Sequence, residues 1–423
     1  MRRIRLLGRP VPSSDDLPLE KRQTRMFRWD LLRGASYGVY ETVTITFALV
    51  VAIRYFEAPD AMKQWIPATL GLGFLLSPLS LALMRHLHRK VTHLMAGIWL
   101  TVAGGLGLST LMTVDWAFVV VIGLTKMLGP QTANLQTQLY SSNYSARERG
   151  SRLSVAFLIT ALAGIVFGLH IGEGLDTELA SWRTYFIATA VILALGALTF
   201  TRIPSPMATQ LKVGNFRENL ALPFQDRLFG TMLGAWMLMG LGNLMLIPLR
   251  VEYLANPTYG INASNETISF ILVITVSAFR LLSTIFWGYA FDRLNLITVR
   301  CLLNALFMVS ITCFFIGDQL WLITAGAALL GAAFGGGGVM WTLWVTKVAP
   351  PDRVSNYMSM HTFTTGLRMT LAPFLGYTAL TMGNPQIAAL TALSFIGVST
   401  VLFIRLRPAL ARLEAERGDE GAS

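Results

Sequence analysis

The sequence predicts an all-α integral membrane protein with twelve transmembrane helices in two pseudo-symmetric six-helix bundles. Three observations carry this. Over 423 residues, 53% are hydrophobic and only 13% charged, with a mean hydropathy of +0.55; a soluble domain carries about 25% charged residues. Apolar runs of near ~20 residues recur along the whole chain, the length a helix needs to cross a bilayer core. Barrel strands would instead alternate over about ten residues. The chain also repeats itself. Shifted by 206 positions, Leu75-Leu76-Ser77 falls on Leu281-Leu282-Ser283, Ala82 on Gly288 and His86 on Asp292. Arg149-Gly150-Ser151-Arg152 and Arg353-Val354-Ser355-Asn356 recur at a shift of 204. Paired repeats of this kind mark a two-halved carrier with its site near the midplane, between the halves.

In chain order, residues 1–33 form a basic lead that is expected to lie in the cytoplasm. Its stretch from Leu17 to Trp29 reads equally well as an interfacial helix or a solvated one. The first bundle, 34–201, holds spans at about Gly34–Phe56, Trp65–Met84, Thr92–Met112, Val114–Tyr140, Gly150–Ile171 and Ser181–Thr201. Hydropathy then drops over 202–226, a linker punctuated by Pro204, Pro206, Gly214 and Pro223 and flanked by Lys212 and Arg217. The second bundle, 227–406, holds spans at about Leu228–Leu254, Ile268–Phe291, Thr298–Ile316, Trp321–Val345, Tyr357–Met382 and Gln386–Leu406. A mixed-charge tail, 407–423, follows. Cys301 and Cys313 share one expected helix about 18 Å apart, too far to bridge.

The net charge of +11 is distributed by side. Of 34 Lys and Arg, 27 fall on the side expected to hold both termini, four opposite and three within spans. That bias puts the termini in the cytoplasm and argues against nucleic-acid binding. No cofactor or metal is implied: the five His residues form no ligand cluster. No nucleophile and base stand at catalytic spacing, so an enzyme is not expected.

The stretch Phe279 to Arg300 reads FRLLSTIFWGYAFDRLNLITVR. Gly288, followed by Asp292-Arg293 between two apolar helices, resembles the cytoplasmic loop signature of the major facilitator superfamily; the family's second Gly and basic ending are missing. The resemblance covers nearly the whole chain and implies alternating access in a cell membrane, expected to be a bacterial inner membrane, with the protein acting as a monomer. In the family the Gly allows close helix approach and the Asp-Arg pair clamps the loop. The gating-loop candidates are therefore Arg85, Arg89, Lys90, Arg149, Gly288, Asp292, Arg293 and Arg353. The family's first, fourth, seventh and tenth helices line the cavity, and its second, fifth, eighth and eleventh slide between the halves.

Charges inside spans are costly and each needs a reason. Glu41, Lys126, Arg280 and Arg368 are the clear cases, and the resemblance allows all four to face one central space. Helical spacing adds Tyr37 to the stripe of Glu41, and Asn134 to that of Lys126. Asn243 on the seventh span, Trp341 and Trp344 on the tenth, and His361 beside Arg368 complete the substrate-binding or coupling candidates. Glu41 and Lys126 could simply pair with each other. Arg280 and Arg368 have Phe74 and Gly164 as their repeat counterparts, and this broken symmetry favours a substrate role. If all four groups are ionised the cavity carries a net charge of about +2, which suits a small organic anion gripped by guanidinium. Glu41 is the expected carrier of a coupling proton, with His170 and His361 as alternatives. Efflux of amphiphilic or drug-like compounds, and a membrane-embedded sensor without transport, are the competing readings. Gly164, Gly168 and Gly172 are expected to serve close helix packing.

Overall fold

In a computed structural model, residues 18–210, 216–350 and 353–420 are described. Positions 1–17 of the lead, 211–215 of the linker (with Lys212 and Gly214) and the last three residues lie outside them, as does the side chain of Arg217. Twelve long helices cross the layer: α1 (Leu19–Arg54), α2 (Trp65–Arg85), α3 (Val91–Ser109), α4 (115–143), α5 (Ala146–Thr177), α6 (Trp182–Thr199), α7 (Arg227–Ala255), α8 (Asn265–Arg293), α9 (Leu296–Phe315), α10 (Leu320–Val348), α11 (Val354–Thr381) and α12 (Pro385–Glu420). Ten are long and apolar enough to span a membrane by length and composition alone. The other two are α4 and α11, which carry Lys126, Gln131 and Asn134, and His361 and Arg368. With twelve crossings, the start of α1 and the end of α12 lie on one face.

Three boundaries differ from the sequence expectation for physical reasons. The first helix starts at Leu19, not near Gly34. Its polar first turns dock on the first bundle. Asp30 and Arg33 form an ion pair at 2.7 Å, Arg33 also donates to Tyr140 Oη, and Arg22 donates to the Ser142 carbonyl. The linker splits its allegiance. Val91 N donates to the Pro206 carbonyl, Ala208 N to the Arg89 carbonyl and Asn143 Nδ2 to the Pro204 carbonyl, which tie its first part to the first bundle. Its second part, helix Phe216–Gln225, packs on α7 and α11. The last helix continues through the expected tail to Glu420.

Small residues let the helices meet. Gly38 of α1 lies against the Thr160 carbonyl and Gly164 of α5; a Cβ there would overlap the Thr160 oxygen. The α5 glycines then cross to the other bundle: Gly168 faces Ser269 and Val273, and Gly172 faces Asn265 and Glu266, all on α8. Gly71 of α2 and Gly366 of α11 bring that inter-bundle pair together in the same way. Such contacts replace the hydrophobic drive that lipid removes. At Gly288 the expectation fails, since an added Cβ meets nothing within 4 Å. The close approach on α8 is made instead from α10, by Gly331 against the Val276 carbonyl and Gly335 against the Arg280 carbonyl.

Gly38→Ala should therefore lower stability by about 1–3 kcal/mol, whereas Gly288→Ala should leave it unchanged or raise it by up to about 1 kcal/mol. Thermal unfolding of the purified variants in detergent checks both; equal midpoints would refute the packing assignment.

Candidate functional site

Contacts between the bundles gather at the end away from the chain termini. Lys63, in the α1–α2 connection, pairs with Glu252 of α7 at 2.6 Å, with side-chain exposures of 4% and 1%. Glu252 also accepts from Tyr377 Oη of α11 and Asn256 Nδ2, and Lys63 reaches Asp60 at 2.8 Å. Beside this, Arg54 at the end of α1 donates to the Ala255 carbonyl, Asn265 Oδ1 and the Ala263 carbonyl. Asp176, ending α5, accepts from the backbone N–H groups of Asn265 and Glu266, at the start of α8. A carboxylate there satisfies donors that a helix start leaves open. Burial, then the Glu252 and Asp60 carboxylates, push the nearby Tyr259 phenol above its ordinary value. We call this end the outer end.

Toward the termini α5 and α8 part, while α2 and α11 stay packed around Gly71 and Gly366. The α5 helix meets α8 mainly along Asn265–Thr275 and hardly at all below. Polar side chains on the parted walls are exposed: Asn134 and Thr137 on α4, Ser154 on α5, Thr284 on α8, Thr342 and Thr346 on α10. We call the gap between these walls the vestibule.

Between vestibule and outer end lies a cavity of about 160 Å³. Its walls come from α1, α5, α7, α8 and α10, and so from both bundles. Glu41, Thr42 and Thr46 of α1 face Ser277 and Arg280 of α8, with Ile45, Leu272, Val276 and Phe334 as apolar surface. Arg280 is exposed to the cavity and lies within electrostatic reach of Glu41 and Tyr37, yet no ion pair closes between Arg280 and Glu41. Both helices are widened here. The α1 helix makes a π turn over Val43–Phe47 and α8 makes another over Phe270–Thr275. Such turns loosen the regular ladder and recur at functional sites.

Of the site residues read from sequence, Glu41 and Arg280 come together on this cavity. Tyr37 packs edge-on against Trp99 at 5.6 Å, beside it. Lys126 is buried and does not pair with Glu41; its Nζ donates to the Thr44 carbonyl, inside the α1 π turn, at 2.8 Å. Asn134 is exposed on the vestibule wall and donates to Ser77 Oγ. Arg368, His361, Trp341, Trp344 and Asn243 belong to the interior of the second bundle. There Arg368 donates to the Trp236 carbonyl and to Thr365 Oγ1, in space left by Gly240. The His361 ring stands 5.2 Å from those of Trp236 and Trp344 and 5.3 Å from that of Trp341.

The loop residues sit at the parted end. Arg85, Arg89, Asp292 and Arg353 are exposed, and Arg293 lies 4.2 Å over the Tyr289 ring. Lys90 bridges to Met207 of the linker, and Arg149 is half-buried at the start of α5. Among the described residues no side-chain hydrogen bond or ion pair of Asp292 or Arg293 makes the clamp that the family resemblance implies; Arg293 lies on Tyr289 instead. The outer contacts of Lys63, Glu252, Arg54 and Asp176, and Arg250 on the cavity wall, were missed in the sequence. Their signal was slight: acids and bases at span ends, where long side chains ordinarily reach the interface.

No protein-family model matches the chain, and no curated protein matches it. Many solved structures do. The nucleoside transporter NupG matches with a TM-score of 0.71 and 14% identity, over 93% of this chain and 99% of that one. A point mutant of NupG matches with a TM-score of 0.72 and 14% identity, over 91% and 99%. The chain thus has the major facilitator fold.

Removing one partner of a buried ion pair costs about 3–5 kcal/mol, so Lys63→Ala should release the outer end. Spin labels at Glu57 and Thr258 should then move apart in pulsed-dipolar distance measurements. A distance distribution identical to that of the unmutated chain would show that this pair does not hold the bundles.

Proposed function

We propose that the chain is a secondary transporter that carries a small organic anion by alternating access. The observation that carries the reading is Arg280, an exposed guanidinium on a cavity built from both bundles. A site between two bundles that are joined at one end and parted at the other is the geometry that rocking requires. A guanidinium at membrane depth is tolerated where it faces water, and it binds carboxylate or phosphate through paired hydrogen bonds. The chemistry that rocking needs is reversible contact alone, and no covalent step is part of this reading.

The likeness to NupG favours a second reading, a nucleoside-sized neutral solute. The hydroxyls of Thr42, Thr46 and Ser277 on the same wall would serve such a ligand. The charge of Arg280 favours the anion. Glu41 faces Arg280 across the cavity and is our candidate for a coupling proton: an anion arriving at Arg280 would compete with Glu41 for the same guanidinium.

Two outcomes test this. Arg280→Ala in proteoliposomes should reduce anion uptake at least tenfold while leaving the thermal midpoint close to that of the parent; unchanged affinity would end the anion reading. Glu41→Gln should abolish the response of uptake to an imposed pH gradient; a response of unaltered size would remove Glu41 from coupling.

A further inference from the structure

The cavity holds a second arginine, which the reading above does not use. Arg250 of α7 contributes to its wall, one turn along from Ile247 toward the outer end. It is 1% exposed, and none of its three guanidinium nitrogens has a hydrogen-bond partner. Its close company is two rings, Phe314 at 5.5 Å and Phe315 at 6.0 Å. Ring faces attract the cation but accept none of its five N–H donors in the way an oxygen does. Glu252, two residues along the same helix, points about 200° away around its axis and is taken by Lys63 and Tyr377. The other deeply buried arginines each have an oxygen acceptor: Arg33 has Asp30, Arg300 has Asn304, and Arg368 has the Trp236 carbonyl. A guanidinium buried without any acceptor is costly, and its position on a cavity wall says where an acceptor could come from.

Charge narrows the ligand. The ionisable walls are Glu41, Arg250 and Arg280; Lys126 is held away on the Thr44 carbonyl. With Glu41 ionised, one carboxylate and two guanidiniums sum to a single positive charge, which a monoanion neutralises; a phosphate monoester, with close to two negative charges near pH 7, is balanced only where Glu41 is protonated. The remaining surface is largely apolar, with Ile247, Leu272, Val276 and Phe334 on it.

We infer that Arg250 is the anchor for the solute's carboxylate, and that the solute is a singly charged organic acid with an apolar body. This rests on the reading of the cavity as an anion site. The carboxylate lies across the Arg250 fork as a two-pronged acceptor. The apolar body lies against the α7, α8 and α10 walls, and Arg280 stays shared between solute and Glu41.

Isothermal titration of the full-length protein in detergent tests this, with benzoate, benzamide and phenyl phosphate as probes. Benzoate should bind, and benzamide and phenyl phosphate at least tenfold more weakly. Arg250→Gln should weaken benzoate by about tenfold or more, and Arg250→Lys should also weaken it, because an ammonium offers no fork. If Arg250→Gln and Arg250→Lys both bind benzoate within twofold of the parent while Arg280→Gln loses it, the anchor is refuted and the anion reading survives. If benzamide matches benzoate, or the parent binds no anion, the anion reading itself falls. Tighter binding of phenyl phosphate than of benzoate overturns the single-charge assignment. Should Arg250→Gln not fold, Arg250→Lys decides: affinity within twofold of the parent refutes the anchor.

Discussion

A single buried ion pair, Lys63 with Glu252, organises the working geometry. It joins the bundles at one end, and with Arg54 and Asp176 beside it, it leaves the other end free to part. Ion pairs withdrawn from water do not stabilise by default, since desolvation offsets much of the attraction. Their value lies in geometry: this pair can close only where the two bundles meet at the outer end. Tyr377 and Asn256 fill the remaining acceptor positions of Glu252, so the closed arrangement is well satisfied and specific.

The second bundle contains a different electrostatic device. Trp236 lies between two guanidiniums, with Arg300 at 4.5 Å and Arg368 at 5.7 Å from its ring. His361 completes the group, and none of the described residues supplies an acid to it. Arg300 is held by Asn304 and Arg368 by a carbonyl and a hydroxyl. Neutral acceptors and ring faces thus carry cations that would otherwise demand a carboxylate. This cluster ties α7, α9, α10 and α11 to one another within the second bundle.

Much of the fold was legible because its rules are coarse. A bilayer demands long apolar helices, and the repeated Leu-Leu-Ser and Arg-x-Ser segments announced two halves. Glu41 and Arg280 were legible because a charge in mid-span needs a reason. Arg368 was legible as unusual but not as interior: periodicity gives a stripe, and in a twelve-helix assembly any stripe can face a neighbour. Lys126 points at a backbone carbonyl that only a π turn presents to it, and no side-chain pattern reports a π turn. Arg250 and Glu252 sit where snorkelling is the ordinary fate of long polar side chains, which hid both. The polar start of α1 escaped hydropathy because Asp30, Arg33 and Tyr140 satisfy one another within the protein.

The parted end has a consequence for how such a carrier would be slowed. In the proposed transport cycle the cavity would exchange with the compartment bordering the vestibule, with the contacts of Lys63, Arg54 and Asp176 closing the other side. Solute accumulating in that compartment would refill the cavity before the bundles could swing back, and turnover would fall as its concentration approached the dissociation constant of this state. For the carrier proposed above, the strength of the grip in the vestibule-side arrangement would then set the solute concentration at which net flux slows, while the limiting gradient stays with the driving force.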